Sequence, residues 1–200
     1  MLLLLTASHL IGQNLVILPV QVSDAADRPV PHVILSAKGD STTSAPTDKS
    51  GKTHIALPAT FSPGSQVALV LVESPSPQYR FLSPWEGRAV VPAHDAVEIV
   101  LGVPGDPGAL NNPQVRQSLR NAINAKAAAS PGPNAEDKAA NNIAAEIGLN
   151  PTQVMKKLQE TAQADSKASS SHHQNPHQAE VQKSATNPTT SMQSHGRKHQ

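Results

Sequence analysis

A chain of 200 residues with 38% hydrophobic and 2% aromatic content and 18 Pro is too lean to bury one large core along its whole length, so a compact part and a loose part are expected. Its net charge of +1 supplies no bulk field for nucleic acid or an anionic membrane, and any such binding would need a local patch. The absence of Cys excludes disulfide frameworks, thiol catalysis and Cys-based zinc sites, and leaves the redox compartment open.

The start, MLLLLTASHLIG, has the apolar middle of a secretory signal but no Lys or Arg before it and no A-x-A cleavage site. Residues 1–13 therefore read either as a truncated export signal or as an arbitrary start ahead of the first strand. The first reading makes an exported protein, periplasmic or extracellular; the second leaves a cytoplasmic one open. The apolar run is too short to span a bilayer, so no stable membrane span is expected.

From Leu15 to Val103, short apolar or alternating runs are separated by turn residues at intervals of about 8 to 12 residues, the pattern of an all-β sandwich. LVILPVQVS places Val16, Leu18, Val20 and Val22 on one face. VPHVILSAK does the same with Val33, Leu35 and Ala37, leaving Ile34 on the other. QVALVLV at 66–72 is apolar on both faces and suits a central strand, and VEIVLGV at 97–103 closes the set. DAADRP, KGDS, TDKSGK, SPGS and SPSP are turns whose Asp, Ser, Gly and Pro restrict φ or bond the local backbone. The predicted fold is mainly β: a sandwich of about seven strands over residues 14–106, followed by two or three short helices and a disordered tail.

After Val103 the period changes. PGDPGALNNP reads as a linker within a helical region spanning 107–164, and Asn112–Pro113 as a capped helix start. Val115, Leu119, Ala122 and Ile123 form one stripe of a helix running to about Lys126. A second helix is expected over Ala135 to Ile147, stopped by Gly148. Asn150–Pro151 opens a third with Val154, Met155 and Leu158. Residues 165–200 are Ser, His, Gln and Asn with little to bury, and are expected to be disordered.

VQVSDAADRPVPHVILSA, TDKSGKTHIALP and SPGSQVALVLV together resemble the carboxypeptidase regulatory-like, transthyretin-like β-sandwich. Asp24, Pro29 and Val30 match its first turn, Thr47, Asp48 and Gly51 its second, and Pro63–Gly64 its third. Asp27 and His32 stand where that pattern has glycine, and the Tyr often found after "P-G" is absent. LSPWEGRAVVP, VEIVLGVPGD and IAAEIGLNP resemble the region preceding tetratricopeptide repeats in some bacterial proteins, although no 34-residue repeat follows here. The resemblance implies an accessory module, grouped with carbohydrate-binding-like folds, without peptidase chemistry.

Catalytic and metal signals are weak. SGKT at 50–53 lacks the upstream glycine of a phosphate-binding loop, that position being Pro46. His9, His32, His54 and His94 are scattered, and His172, His173 and His177 fall in the polar tail, where solvation or loose metal contact both fit. Asp24, Asp27, Asp40 and Asp48 sit in turns, and no nucleophile elbow appears. The chain is expected to be no enzyme and to need no cofactor or metal. The aromatic cluster YRFLSPWEGR, which holds the only Tyr and the only Trp, reads first as a structural corner closing the sandwich and second as a stacking surface. On the second reading Tyr79, Trp85 and Arg88 are the candidate binding residues. The expected function is a noncatalytic interaction module binding a protein partner or a glycan. The alternative is a DNA-binding regulator using residues 139–158, where Ala144, Gly148 and Val154 have helix-turn-helix spacing but only Lys156 and Lys157 supply charge.

Overall fold

A computed structural model describes residues 15–40 and 42–160. The signal-like start and the polar tail, with His9, His172, His173 and His177, lie outside the described residues. The alternating runs form seven strands: β1 (Leu15–Asp24), β2 (Ile34–Ala37), β3 (Lys52–Pro58), β4 (Gln66–Glu73), β5 (Arg80–Ser83), β6 (Arg88–Val90) and β7 (Val97–Gly102). One sheet has the order β3-β1-β7-β5 and the other β2-β4-β6. Every pairing is antiparallel except β1 with β7.

The two sheets share one apolar core in a sandwich-like arrangement. Leu18, Val20 and Val22 of β1, Ile55 and Leu57 of β3 and Ile99 and Leu101 of β7 meet Leu35, Ala37, Val67, Leu69 and Ala89 of the second sheet. The faces read from alternation are the ones buried, because a period of two leaves no other way to hide every second side chain. Side chains finish the hydrogen bonding where β2 has no second neighbour. Thr47 Oγ1 accepts from Val33 N at 2.9 Å and donates to Val30 O at 2.7 Å, and Ser44 Oγ accepts from Leu35 N at 3.0 Å.

Asp27 and His32, the two residues standing where the resemblance has glycine, have φ of 59° and 61°. Both turns therefore need the left-handed conformation, and here a polar side chain tolerates it. Gly51, at φ +76°, has a second constraint: a Cβ there would lie 2.2 Å from Val22 O.

Helices α1 (Pro113–Ala129), α2 (Ala135–Glu146) and α3 (residues 151–160) follow. Helices hold about as many described residues as strands, so the mainly β expectation is met over 15–102 and not over the described chain as a whole. Asn112 caps α1 as expected, its Oδ1 accepting from Gln114 N at 2.9 Å and Val115 N at 3.2 Å. Its Nδ2 also donates to Asp27 Oδ1 at 2.7 Å, tying the helix start to the turn after β1.

The stretch read as a linker is packed instead. Residues Pro107–Asn111 form a 3-10 turn with Ala109 and Leu110 buried, because these two apolar side chains join a second core. That core gathers Val115, Leu119 and Ile123 of α1, Ala139, Ala140, Ile143 and Ala144 of α2, and Val154 and Leu158 of α3. It also includes Leu82 of β5 and Val100 of β7, which point away from the sandwich core. The helices thus cover the outer face of one half of the four-stranded sheet, and β7 is apolar on both faces for that reason.

Candidate functional site

The strip 79–88 sits where the two cores meet: alternation along β5 separates Phe81 from Leu82, and Trp85 lies in the turn beyond the strand. Tyr79 and Phe81 pack against the sandwich core, whereas Leu82 and Trp85 pack against the helical one. Trp85 therefore closes a corner of the helical layer and not the sandwich, against which Phe61, Tyr79 and Phe81 pack. After β5 the chain turns through Trp85–Gly87, with Glu86 at φ 51° and Gly87 at φ 70°. Only glycine fits at Gly87, since a Cβ would lie 2.5 Å from Leu69 O. The turn projects Glu86 and Arg88 outward, and Arg88 Nε meets Glu86 Oε2 at 3.2 Å in an exposed ion pair.

An open groove of about 580 Å³ runs between this turn and α1. Trp85, Arg88 and Gln66 line one wall, and Asn121, Ala122 and Lys126 the other. Trp85 and Arg88 are thus brought together. Tyr79 is not with them; it borders a separate depression of about 450 Å³ with Leu71, Arg80 and Phe81. The α1 residues of the groove escaped the sequence reading. They lie on a helical stripe, but which face of α1 meets Trp85 is settled only by docking on β5 and β7. Lys126 is held at the rim by Glu146, Nζ to Oε1 2.8 Å.

The carboxylates serve the turns. Asp24 Oδ1 accepts from Ala26 N and Arg28 N, and Oδ2 from Arg28 Nε at 2.8 Å. Partial burial alone would push its carboxyl up, but the Arg28 side chain, the two amides and the Arg28 charge outweigh it and hold it below the ordinary value. The amide of Lys52 and the hydroxyl and amide of Ser50 likewise lower Asp48. SGKT belongs to this second turn and runs straight into β3. Carboxylates pinned this way stay ionised and are poorly placed to donate a proton.

His32, His54 and His94 are exposed and apart, and no group of three potential metal ligands occurs among the described residues. No helix among them is long and apolar enough to cross a membrane. The α2–α3 corner has the expected local form: Gly148 at φ +68° separates the helices, and Ala144 and Val154 are fully buried. Its turn docks on the segment after β7, where Gly105 N donates to Ile147 O at 2.7 Å.

A sandwich-like pair of sheets with one helical layer, carrying an aromatic-edged groove, is the class of structure these observations define. No family model matches the chain, and neither the curated proteins nor the solved structures contain a significant match.

Proposed function

We propose that this chain is a noncatalytic interaction module of the carboxypeptidase regulatory-like, transthyretin-like kind, binding a protein partner or a glycan. The observation that carries the reading is the groove in which half-buried Trp85 stands beside Arg88, Gln66 and Asn121. An indole face with guanidinium and amide groups at its rim suits a ligand with both an apolar surface and hydrogen-bonding groups. The left-handed turns at Asp27 and His32 support the family part, being the positions where the pattern carries glycine. Export belongs to the same reading and rests on the apolar start alone.

Trp85 is the only Trp, so its emission reports on this groove without labelling. Titration with oligosaccharides, and a screen of the tagged chain on immobilised glycans and peptides, should give a saturable ligand whose binding is lost in both Trp85→Ala and Arg88→Ala. A ligand bound equally well by both variants, with their folds intact, would remove the groove from the function.

A DNA-binding regulator is the second reading, favoured by Gly148 and the buried Ala144–Val154 pair of the helix corner. The start of α3 offers Thr152 and Gln153, with cations only at Lys156 and Lys157, and Lys157 faces Glu160 at 3.5 Å. Specific duplex binding is therefore not expected at ~150 mM salt, where operators bind at about 10⁻⁸ M or tighter. A sequence-selective footprint that disappears in Lys156→Ala and Lys157→Ala would promote the regulator.

A further inference from the structure

The second sheet is incomplete along β4. Lys38 N donates to Ala68 O at 2.7 Å, which makes Lys38 and Ala68 a hydrogen-bonded pair of the β2–β4 register. Bonded pairs recur every second residue, so Ser36–Val70 is the next. Leu35, opposite Leu71, uses its own amide and carbonyl on Ser44, donating to Oγ and accepting from N. The N–H and C=O of Leu71 therefore point away from β2, to the side where β6 should lie. On that side Val91 N donates to Ser65 O at 2.8 Å, but pairing with β6 ends at Ala68–Arg88. Among the described residues no strand continues it.

Two open grooves run along this unpaired edge, of about 610 and 450 Å³, and Leu71 and Phe81 line both. Arg88 covers Ala68 and Gly87 lies against Leu69 O, so the open edge runs from Val70 to Glu73, about 10 Å at about 3.4 Å per residue, room for a short strand of about four residues. Side chains directed inward from such a strand would meet Phe81 and Leu71. Those directed outward would lie beside Val70 and Val72, which are 40% and 52% exposed. Lys38 and Arg88 flank Ala68 on the outer face at one end, and Lys38 has no ion-pair partner among the described residues.

From this we infer that β4 accepts an extended segment of a partner protein as an added strand, antiparallel to β4 and continuing the line of β6. The segment is apolar on both faces in its middle, and carries a carboxylate at its C-terminal end, over Lys38. Main-chain donors and acceptors along an edge recognise polypeptide, and neighbouring side chains then choose its sequence. This inference rests on the interaction-module reading but uses a different surface from the Trp85 groove.

The test selects ligands for the full chain from a phage-displayed library of random linear peptides and synthesises the tightest binder. Its sequence should show a short apolar run with an acidic residue after it. In the complex, hydrogen exchange at the Leu71 amide should slow by about tenfold or more. Val72→Lys, on the exposed face and without cost to the core, should weaken binding about tenfold or more. Lys38→Glu should prefer a lysine in place of the acidic residue. Peptide binding that leaves Leu71 exchange unchanged and tolerates Val72→Lys would overturn the inference. So would a slow Leu71 amide without peptide, either in a concentration-dependent dimer or lost on removing residues 1–14, since a second copy or the chain's own start would then be the occupant. Trp85 emission reads the other groove in the same samples, so failure at β4 and failure of the module reading remain distinguishable.

Discussion

Leu82 lies between the strands and the helices, 2% exposed, and tests whether the two cores stand as one unit. A Cβ built at Gly102 would fall 2.3 Å from Leu82 Cδ1, so the leucine lies flat on the glycine of the neighbouring strand. Leu82→Ala removes three buried carbons, about 2.4 kcal/mol at about 0.8 kcal/mol each. A residual void of ~40 Å³ adds about 1 kcal/mol at about 24 cal/mol per Å³, giving a loss of about 3 to 3.5 kcal/mol. In a unit of this size that lowers Tm by roughly 10 °C. Gly102→Ala alone should cost about 1 to 3 kcal/mol by overpacking. In the double variant the new methyl enters the space that Leu82 vacated, so the two losses should fall short of additive by at least about 1 kcal/mol. Urea unfolding followed both by Trp85 emission, which reads the helical layer, and by far-ultraviolet circular dichroism measures all four corners of this cycle. Additivity within about 0.5 kcal/mol would refute the packing of Leu82 on Gly102, and separate transitions for the two signals would refute a shared unit.

Thr47→Val keeps shape but leaves Val33 N–H and Val30 C=O without their buried partner, and should cost about 2 kcal/mol in the same melts. Asn112→Asp retains the helix cap but replaces the donor to Asp27 with a carboxylate. Two carboxylates at hydrogen-bond distance repel, so the variant should melt lower than the wild type, and an unchanged Tm would deny the contact with Asp27. Asp24 has a folded value below the ordinary 3.8, so its contribution is fully present above that pH and is lost as pH falls through the lower folded value. Asp24→Asn should flatten that acid limb of the stability curve, and an unchanged limb would show that the Arg28 turn carries none of it. Trp85→Ala should cost about 2 to 3 kcal/mol, below the ~3 to 5 of a fully buried aromatic, because the indole is only half-buried. Wild-type emission should accordingly lie between those of buried and free indole.

What the sequence determined by itself is local. Alternation named the buried faces of β1 and β2, because a strand offers only two sides and water selects between them. Asn112–Pro113, Gly148 and Asn150–Pro151 marked helix ends because capping and left-handed turns are decided within a few residues. Trp85 and Arg88 fell in one groove because they stand three positions apart across a single turn. The tertiary structure decided everything that depends on a distant neighbour. Apolar residues on both faces of QVALVLV and VEIVLGV looked alike, yet Val100 is covered by helices while Val70 and Val72 face solvent. The parallel pairing of β1 with β7 closes a loop of more than seventy residues, and no local preference encodes it. Phe81 went to the sandwich and Leu82 to the helical core because β5 is a boundary strand that sends alternate side chains to whatever lies on each side, and Trp85 joined the helical core because the turn after Ser83 breaks that alternation.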